Sequence, residues 1–148
     1  MPAGSNDMPG LVDTNILVYR FDQRFPEERT RATDFLRRGL ERDELRLPHQ
    51  AIVEFVAAVT RRRGGAGSIL SLEEARLQAA ALLEQFPILY PTQGVLRLAL
   101  QGSAAYQLSW FDAHMWAYAE FYGLSPLYTE DFPAGQRLGT VEIENPIA

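Results

Sequence analysis

Short apolar segments alternate with longer segments of helical periodicity along most of the chain, and this alternation most limits the folds open to it. Strands are predicted at 11–12, 45–47, 87–91, 126–128 and 141–143, and helices at about 16–20, 26–40, 49–63, 71–86, 92–107 and 111–122. Residues 129–139 are predicted as a loop. Short strands separated by helices predict an α/β fold with a largely parallel central sheet.

The residue types that are missing restrict the chemistry. All 14 basic residues are arginine, and the 148-residue chain contains neither lysine nor cysteine. This excludes a Schiff-base lysine, a phosphate-binding loop lysine, a thiolate nucleophile, a disulfide and a cysteine-ligated zinc. The length and the hydrophobic content of 47% suit one globular domain.

The lengths of the apolar runs and the sequence of the first residues predict a cytoplasmic protein with no membrane segment. No apolar run approaches the roughly 18 residues of a membrane span, and the first residues lack the basic and apolar regions of a signal peptide. Residues 1–7 are predicted to be a flexible N-terminal extension, with a single domain over 8–148. The net charge of −5 does not by itself indicate nucleic-acid binding.

Three aspartates, Asp13, Asp112 and Asp131, stand where a strand has just ended or a helix has just begun. In open α/β sheets, ligands bind at the carboxyl edge of the strands. Each aspartate also has a purely structural interpretation: Asp13 as a helix N-cap, Asp112 as the third residue of a capping box begun by Ser109, and Asp131 as a turn residue.

Glu54 does not fit the apolar face of its predicted helix. That face is formed by residues 52, 55, 56 and 59, and Glu54 lies opposite to it. An exposed glutamate with no particular role is one interpretation. The alternative is that a second surface covers this side of the helix, because the neighbouring alanines, Ala57 and Ala58, permit a close approach.

A cluster of such acids would imply a metal ion. Carboxylates crowd together at neutral pH only if a cation neutralises them or some take up protons. Mg²⁺ and Mn²⁺ prefer oxygen ligands, activate a bound water and stabilise charge on a phosphoryl group, which predicts a phosphodiester hydrolase. Zinc is the weaker option, because the only histidines are His49 and His114, which we interpret as packing or surface residues.

Four segments resemble PIN domains, in the same order along the chain. Residues 11–17 (LVDTNIL) resemble the opening strand and its Asp-Thr-Asn signature, residues 52–55 (IVEF) the second acidic position, and residues 109–113 (SWFDA) the third. Residues 127–132 (LYTEDF), followed by 135–136 and 141–146, resemble the closing segment. The resemblance covers about residues 10–147 and is greatest to the VapC-type toxins of bacterial toxin–antitoxin modules.

The resemblance implies a Rossmann-like three-layer α/β/α sandwich and a Mg²⁺- or Mn²⁺-dependent endoribonuclease that leaves a 5′-phosphate and a 3′-hydroxyl. It also implies that Asn15 is a polar neighbour of the site, that Thr129 supports a ligand, and that Glu130 is an alternative to Asp131. Glu54 is then expected to face the acidic pocket rather than solvent. The implied catalytic and metal-binding residues are Asp13, Glu54, Asp112 and Asp131.

The same resemblance implies partners. VapC-type proteins are commonly homodimers, inhibited by an antitoxin whose C-terminal segment covers the catalytic groove and often places a basic side chain among the acids. RNA contacts are assigned to Arg61, Arg62 and Arg63, beside a glycine-rich loop. The alternative is that these arginines only compensate the dipole at the C-terminus of their helix.

Two other functions remain open at this stage. One is a non-catalytic PIN-fold module that binds RNA or protein. The other is a phosphoryl-transfer protein resembling receiver domains or haloacid-dehalogenase-like phosphatases. Those families normally use a lysine to neutralise the phosphoryl charge, and this chain has none.

The net charge is consistent with an acidic site. If four of the 19 acids bind metal, the remaining balance is 15 acidic to 14 basic residues, or −1, so the excess acidity would be concentrated in the site.

Overall fold

A computed structural model describes residues 8–148, and the predicted extension 1–7 lies outside the described residues. Its strands are β1 (Gly10–Val12), β2 (Leu45–Pro48), β3 (Ile88–Leu89), β4 (Leu127–Tyr128), β5 (Arg137–Leu138) and β6 (Val141–Glu144). Its helices are α1 (Thr14–Tyr19), α2 (Pro26–Glu41), α3 (His49–Thr60), α4 (Leu72–Gln85), α5 (Gln93–Tyr106) and α6 (Trp110–Tyr122), with a 3-10 turn at Gly64–Ala66. Within residues 8–148, no helix combines the length and apolarity needed to cross a bilayer.

The six strands form one sheet in the order β3-β2-β1-β4-β6-β5. The first five strands in this order are parallel to their neighbours, and only β5 runs antiparallel, against β6. The predicted α/β/α sandwich with a mostly parallel sheet is therefore confirmed. Because β1 lies between β2 and β4, the residues that follow these three strands meet at one edge of the sheet.

Local sequence signals explain where most helices begin. Ser71 and Glu74 form a complete capping box at α4, and Pro26 occupies the first turn of α2. The side chains of Thr92 and Ser109 accept the backbone N–H of the third residue of α5 and α6, respectively. Helix α6 therefore begins at a defined residue, which fixes the position of its first turn.

Two segments differ from the prediction. Helix α3 ends at Thr60 rather than at Arg63, because Arg61 adopts an extended backbone and a glycine-rich turn follows. Gly64 and Gly67 have φ angles of 61° and 72°, which residues with a side chain rarely adopt. Strand β5 lies inside the predicted loop 129–139, and its two residues are too few to show a period of two.

Helix α6 buries six of its 13 residues and is anchored on both sides. Trp116 is buried, and its Nε1 donates to the carbonyl of Leu138 in β5 at 3.0 Å. Its ring also packs on Gly102 of α5, where a Cβ atom would lie 2.4 Å from Trp116 Cζ3. The missing side chain at Gly102 therefore allows α5 and α6 to approach closely.

We expect Gly102→Ala to lower the free energy of unfolding by about 1–3 kcal/mol, because the added methyl group overlaps a tryptophan that cannot move away. This expected net loss already includes the roughly 1 kcal/mol that alanine gains over glycine within a helix. Urea unfolding followed by circular dichroism measures the change. The exposed neighbour Gln101→Ala is the control and should change stability by less than about 0.5 kcal/mol. Equal or greater stability of Gly102→Ala would contradict this account of the packing.

Candidate functional site

Asp13 directly follows β1 and is buried, with 6% of its surface exposed. Its Oδ1 accepts the backbone N–H of Thr14 at 2.6 Å, so it is the N-cap of α1. Its Oδ2 accepts the hydroxyl of Thr129 at 2.7 Å. The capping interpretation is therefore correct, but capping uses only one of the two carboxylate oxygens.

Thr129 joins Asp13 to Asp131. It follows β4, which pairs with β1 in register from Leu11–Leu127 to Val12–Tyr128. Its fully buried hydroxyl donates to Asp13 and accepts the backbone N–H of Asp131 at 3.0 Å. Two residues distant in sequence are therefore held at the same edge of the sheet by one hydroxyl.

Asp131 lies at the exposed side of this arrangement. The Nδ2 of Asn15 donates to both of its carboxylate oxygens at 3.4 Å. Asn15 belongs to the first turn of α1, whose position is set by Asp13. The Asp-Thr-Asn segment thus contacts the closing segment twice, through Asp13 and through Asn15.

Asp112 enters from α6. It lies in the first turn, and its backbone N–H donates to the Ser109 hydroxyl at 3.2 Å. Burial raises the pKa of the Asp112 carboxyl, the hydrogen bond with Ser109 lowers it, and the negative charge of Asp131 raises it again. Asp112 and Asp131 are therefore close enough to repel each other.

The pKa of Asp13 is raised further. This pKa rises from 3.8 to about 7, with burial as the largest cause and with the Thr129 hydrogen bond acting in the opposite direction. The charge of Asp131 raises it as well. Asp131 thus acts on both other aspartates, and the three carboxyls share one electrostatic neighbourhood in which a positive charge would relieve the repulsion.

Glu54 is half-buried on the side of α3 that meets the start of α6. The Nε2 of Gln50 donates to Glu54 Oε2 at 2.6 Å and to the carbonyl of Phe111 at 3.2 Å. Phe111 immediately precedes Asp112, so Gln50 links the two acidic positions. The sequence analysis did not identify Gln50, although its spacing of four residues from Glu54 on one helix face was a usable signal.

Glu130 and Asp131 are adjacent in sequence but contact different groups. The hydroxyl of Tyr19 donates to both carboxylate oxygens of Glu130, at 2.9 and 3.0 Å. Burial, together with the hydrogen bond to Glu130 and its charge, raises the pKa of Tyr19 to about 12. Glu130 therefore contacts the end of α1, while Asp131 contacts Thr129 and Asn15.

The donor chemistry of the site suits a hard divalent cation. Asp13, Asp112 and Asp131 offer only oxygen atoms, and burial together with the charge of Asp131 raises the pKa of Asp13 and of Asp112, an effect that a bound cation would oppose. As positioned, no three acidic or histidine side chains within residues 8–148 form a ready-made metal cage. The histidines contact aromatic rings, His49 with Tyr90 and His114 with Trp110.

The three consecutive arginines differ in their surroundings. Arg61 and Arg62 are exposed beyond the end of α3. Arg63 is half-buried, and its Nη1 lies 4.0 Å from Oδ2 of Asp22, a buried carboxylate that the sequence analysis missed. The spacing of two residues between Asp22 and Arg24 was the sequence signal that could have predicted an ion pair at Asp22.

The raised pKa of Asp13 predicts a pH-dependent stability in metal-free protein. Between about pH 4 and 7 the folded protein binds a proton at Asp13 that the unfolded chain releases, so stability falls as the pH rises through this range. Asp13→Asn should flatten this part of the profile and be the more stable protein at pH 8, by about 1–3 kcal/mol. Urea unfolding in EDTA tests this against Glu84→Gln, an exposed acid of α4 whose removal should leave the profile unchanged. An unchanged slope in Asp13→Asn would contradict the burial argument.

Comparison with known proteins places these features in a family. The model of the PIN domain family matches residues 10–132. No curated protein sequence matches the chain.

Solved structures share the fold at low identity. VapBC2 from Rickettsia felis, solved with a DNA fragment from its promoter, has a TM-score of 0.68 and 14% identity, covering 93% of this chain and 98% of that chain. FitAcB from Neisseria gonorrhoeae has a TM-score of 0.63 and 19% identity, covering 93% and 97%. VapC20 from Mycobacterium tuberculosis, described as a toxin that cleaves the sarcin–ricin loop, has a TM-score of 0.57 and 16% identity, covering 82% and 89%. Since the family model extends from β1 to the residue after Asp131, and so over most of the chain, the protein belongs to the PIN domain family.

Proposed function

We propose that this protein is a metal-dependent endoribonuclease of the VapC toxin type, with Asp13, Glu54, Asp112 and Asp131 as its catalytic, metal-binding acids. The observation that carries the proposal is the buried Asp13 carboxylate, which shares a hydroxyl with the segment of Asp131 and whose pKa is raised by burial and by the charge of Asp131. A purely structural N-cap does not need this second acid beside it.

A bound Mg²⁺ or Mn²⁺ would supply positive charge at the phosphoryl group and would activate a water molecule for the attack. The residues of the chain hold the ligands in place for this. Hydrogen bonds from the backbone N–H of Thr14 and the hydroxyl of Thr129 fix the Asp13 carboxylate, and a hydrogen bond from Asn15 fixes that of Asp131. Gln50 orients Glu54 toward the first turn of α6, where Asp112 lies.

The assignment of an antitoxin partner rests on the structural neighbours, several of which are toxin–antitoxin complexes. A basic side chain of an antitoxin placed among these acids would lower their repulsion in the same way as a metal ion. We propose that an antitoxin of the VapB type inhibits the protein in this way, that the active form is a homodimer, and that both RNA and antitoxin meet it in the cytoplasm.

We expect Asp13→Asn and Asp112→Asn each to reduce Mn²⁺-dependent RNA cleavage by at least about 100-fold. Mutating a residue that only hydrogen-bonds to a metal ligand typically lowers activity by about tenfold to 100-fold, and losing the ligand itself costs more. Cleavage of total RNA by the purified protein measures this, and sequencing of the ends tests for a 5′-phosphate and a 3′-hydroxyl. Glu73→Gln, an exposed acid at the start of α4, is the matched control and should retain full activity.

Full activity in both aspartate variants would refute the metal-site assignment. If the wild-type protein cleaves no RNA with Mn²⁺ present and calorimetry detects no metal binding, the alternative of a non-catalytic PIN-fold binding module is favoured instead.

Mn²⁺ binding by two variants distinguishes Glu130 from Asp131 as the fourth metal ligand. Asp131→Asn should weaken Mn²⁺ binding by about tenfold or more, whereas Glu130→Gln, which mainly weakens the contact with Tyr19, should change it by less than about threefold. Isothermal titration calorimetry with each purified variant measures the difference. The reverse order of effects would reassign the fourth ligand to Glu130.

A further inference from the structure

A buried carboxylate holds an arginine next to the acidic site. Asp22, after α1, has a side chain only 5% exposed. Arg24 donates to it from Nε to Oδ1 at 2.9 Å and from Nη2 to Oδ2 at 2.7 Å, and its backbone N–H donates to Oδ1 at 3.2 Å. The guanidinium also lies 5.1 Å from the ring centre of Phe25. Arg24 is therefore fixed from two directions while 53% of its side chain remains exposed.

A second arginine approaches the same carboxylate from the glycine-rich turn. Arg63 Nη1 lies 4.0 Å from Asp22 Oδ2, and the Arg63 side chain is 28% exposed. The backbone N–H of Arg63 donates to the carbonyl of Gly67 at 2.9 Å, which closes the turn. The positive φ angles of Gly64 and Gly67 allow this tight closure, so the turn directs Arg63 back toward Asp22.

These three side chains line two adjoining cavities, which together we call the arginine cleft. The cavities have volumes of about 290 and 210 Å³, and Asp22, Arg24 and Arg63 line both of them. The smaller cavity is also lined by Asn15 and Glu130. Asn15 also donates to Asp131, so the cleft and the carboxylate site share this residue.

The charges that face solvent differ between the two ends of the cleft. At one end the exposed groups are guanidiniums, because Asp22 is buried beneath them. At the other end lies the carboxylate of Glu130. Among the hydrogen bonds of residues 8–148, none uses Nη1 of Arg24, so this donor remains available to a ligand.

We propose that the arginine cleft binds the phosphate groups of single-stranded RNA on one side of the scissile bond. This inference rests on the proposed ribonuclease function, since it assigns the path of that substrate. A polynucleotide carries a phosphate at every nucleotide, so a strand with one phosphate at the carboxylates must place its neighbours along an adjoining groove. Guanidinium groups match phosphate oxygens in planar, paired hydrogen bonds, and an arginine that is already fixed loses less entropy on binding.

Asp22 is a positioning residue in this proposal. Because it is negatively charged, its removal distinguishes an effect of overall charge on RNA binding from an effect of positioning the arginines. Removing a negative charge near an RNA site strengthens binding if only the overall field matters. If Asp22 acts by holding Arg24 and Arg63 in place, Asp22→Asn weakens binding despite the more positive protein. The two accounts therefore predict changes of opposite sign.

The experiment measures binding of a short labelled single-stranded RNA to the full chain by fluorescence anisotropy in EDTA, so that the readout does not depend on cleavage. We expect the double variant Arg24→Ala/Arg63→Ala to bind about tenfold or more weakly at roughly 0.1 M salt. The slope of log K against log salt should become shallower by about 1.4, since each lost phosphate contact contributes about 0.7 for single strands.

The charge-matched control is Arg76→Ala/Arg97→Ala, which removes two exposed arginines of α4 and α5 that line neither cavity. It should weaken binding by less than about threefold. Thermal unfolding of each variant verifies folding. Asp22→Asn should bind less tightly than wild type, and Asp22→Glu, which keeps the charge, should recover part of the loss.

Results that differ from these expectations overturn the inference. Equal losses in the two double variants, tighter binding by Asp22→Asn, or no binding of RNA by the wild type would each refute it. Binding of a glutamate-rich peptide in place of RNA, with the same dependence on Arg24 and Arg63, would reassign the cleft to an acidic protein partner. If Arg24→Ala/Arg63→Ala still cleaves RNA and binds it with unchanged affinity, the RNA-binding role of the arginine cleft is refuted and the ribonuclease function is not. If the wild type binds RNA but does not cleave it, the ribonuclease function is refuted and RNA binding by the cleft is not.

Discussion

The candidate site depends on one hydrogen bond, from the buried hydroxyl of Thr129 to the carboxylate of Asp13. This bond exists because β1 and β4 are parallel neighbours in register, so that the residues following the two strands meet. It fixes the N-cap of α1 on one side and the segment of Asp131 on the other. Without this pairing, the two carboxyls would belong to unrelated loops, and no electrostatic coupling between them would arise.

Two buried aspartates of this chain show opposite solutions to the same problem. Asp22 is paired with Arg24 and lies near Arg63, so its charge is compensated within the protein. Asp13 accepts hydrogen bonds from the neutral donors of Thr14 and Thr129, and its pKa is raised to about 7, above all by burial. A buried charge without a counter-ion destabilises the fold unless it is protonated or meets a cation. The contrast supports the proposed roles of Asp22 in positioning arginines and of Asp13 in binding a cation.

Most secondary structure could be predicted from the sequence because its signals are local. The capping box at Ser71 and the prolines that bound strands and helices act within a few residues of themselves, and the structure has elements there. The prediction was wrong where local signals compete or are too short. The arginines after Thr60 suit a helix C-terminus, but the glycine-rich turn ends α3 before them. Strand β5 is visible only through its pairing with β6.

The sequence by itself determined which side chains are available for chemistry: carboxylates after strands and at the start of α6, and arginine as the only permanent cation. Only the tertiary structure decided how they combine. It directs Glu130 to Tyr19 and Asp131 to Asn15, links Glu54 to α6 through Gln50, and brings Arg63 to Asp22. The physical reason is that a side chain's partners depend on how distant segments pack, whereas sequence spacing specifies only the direction of a side chain relative to its own helix or strand.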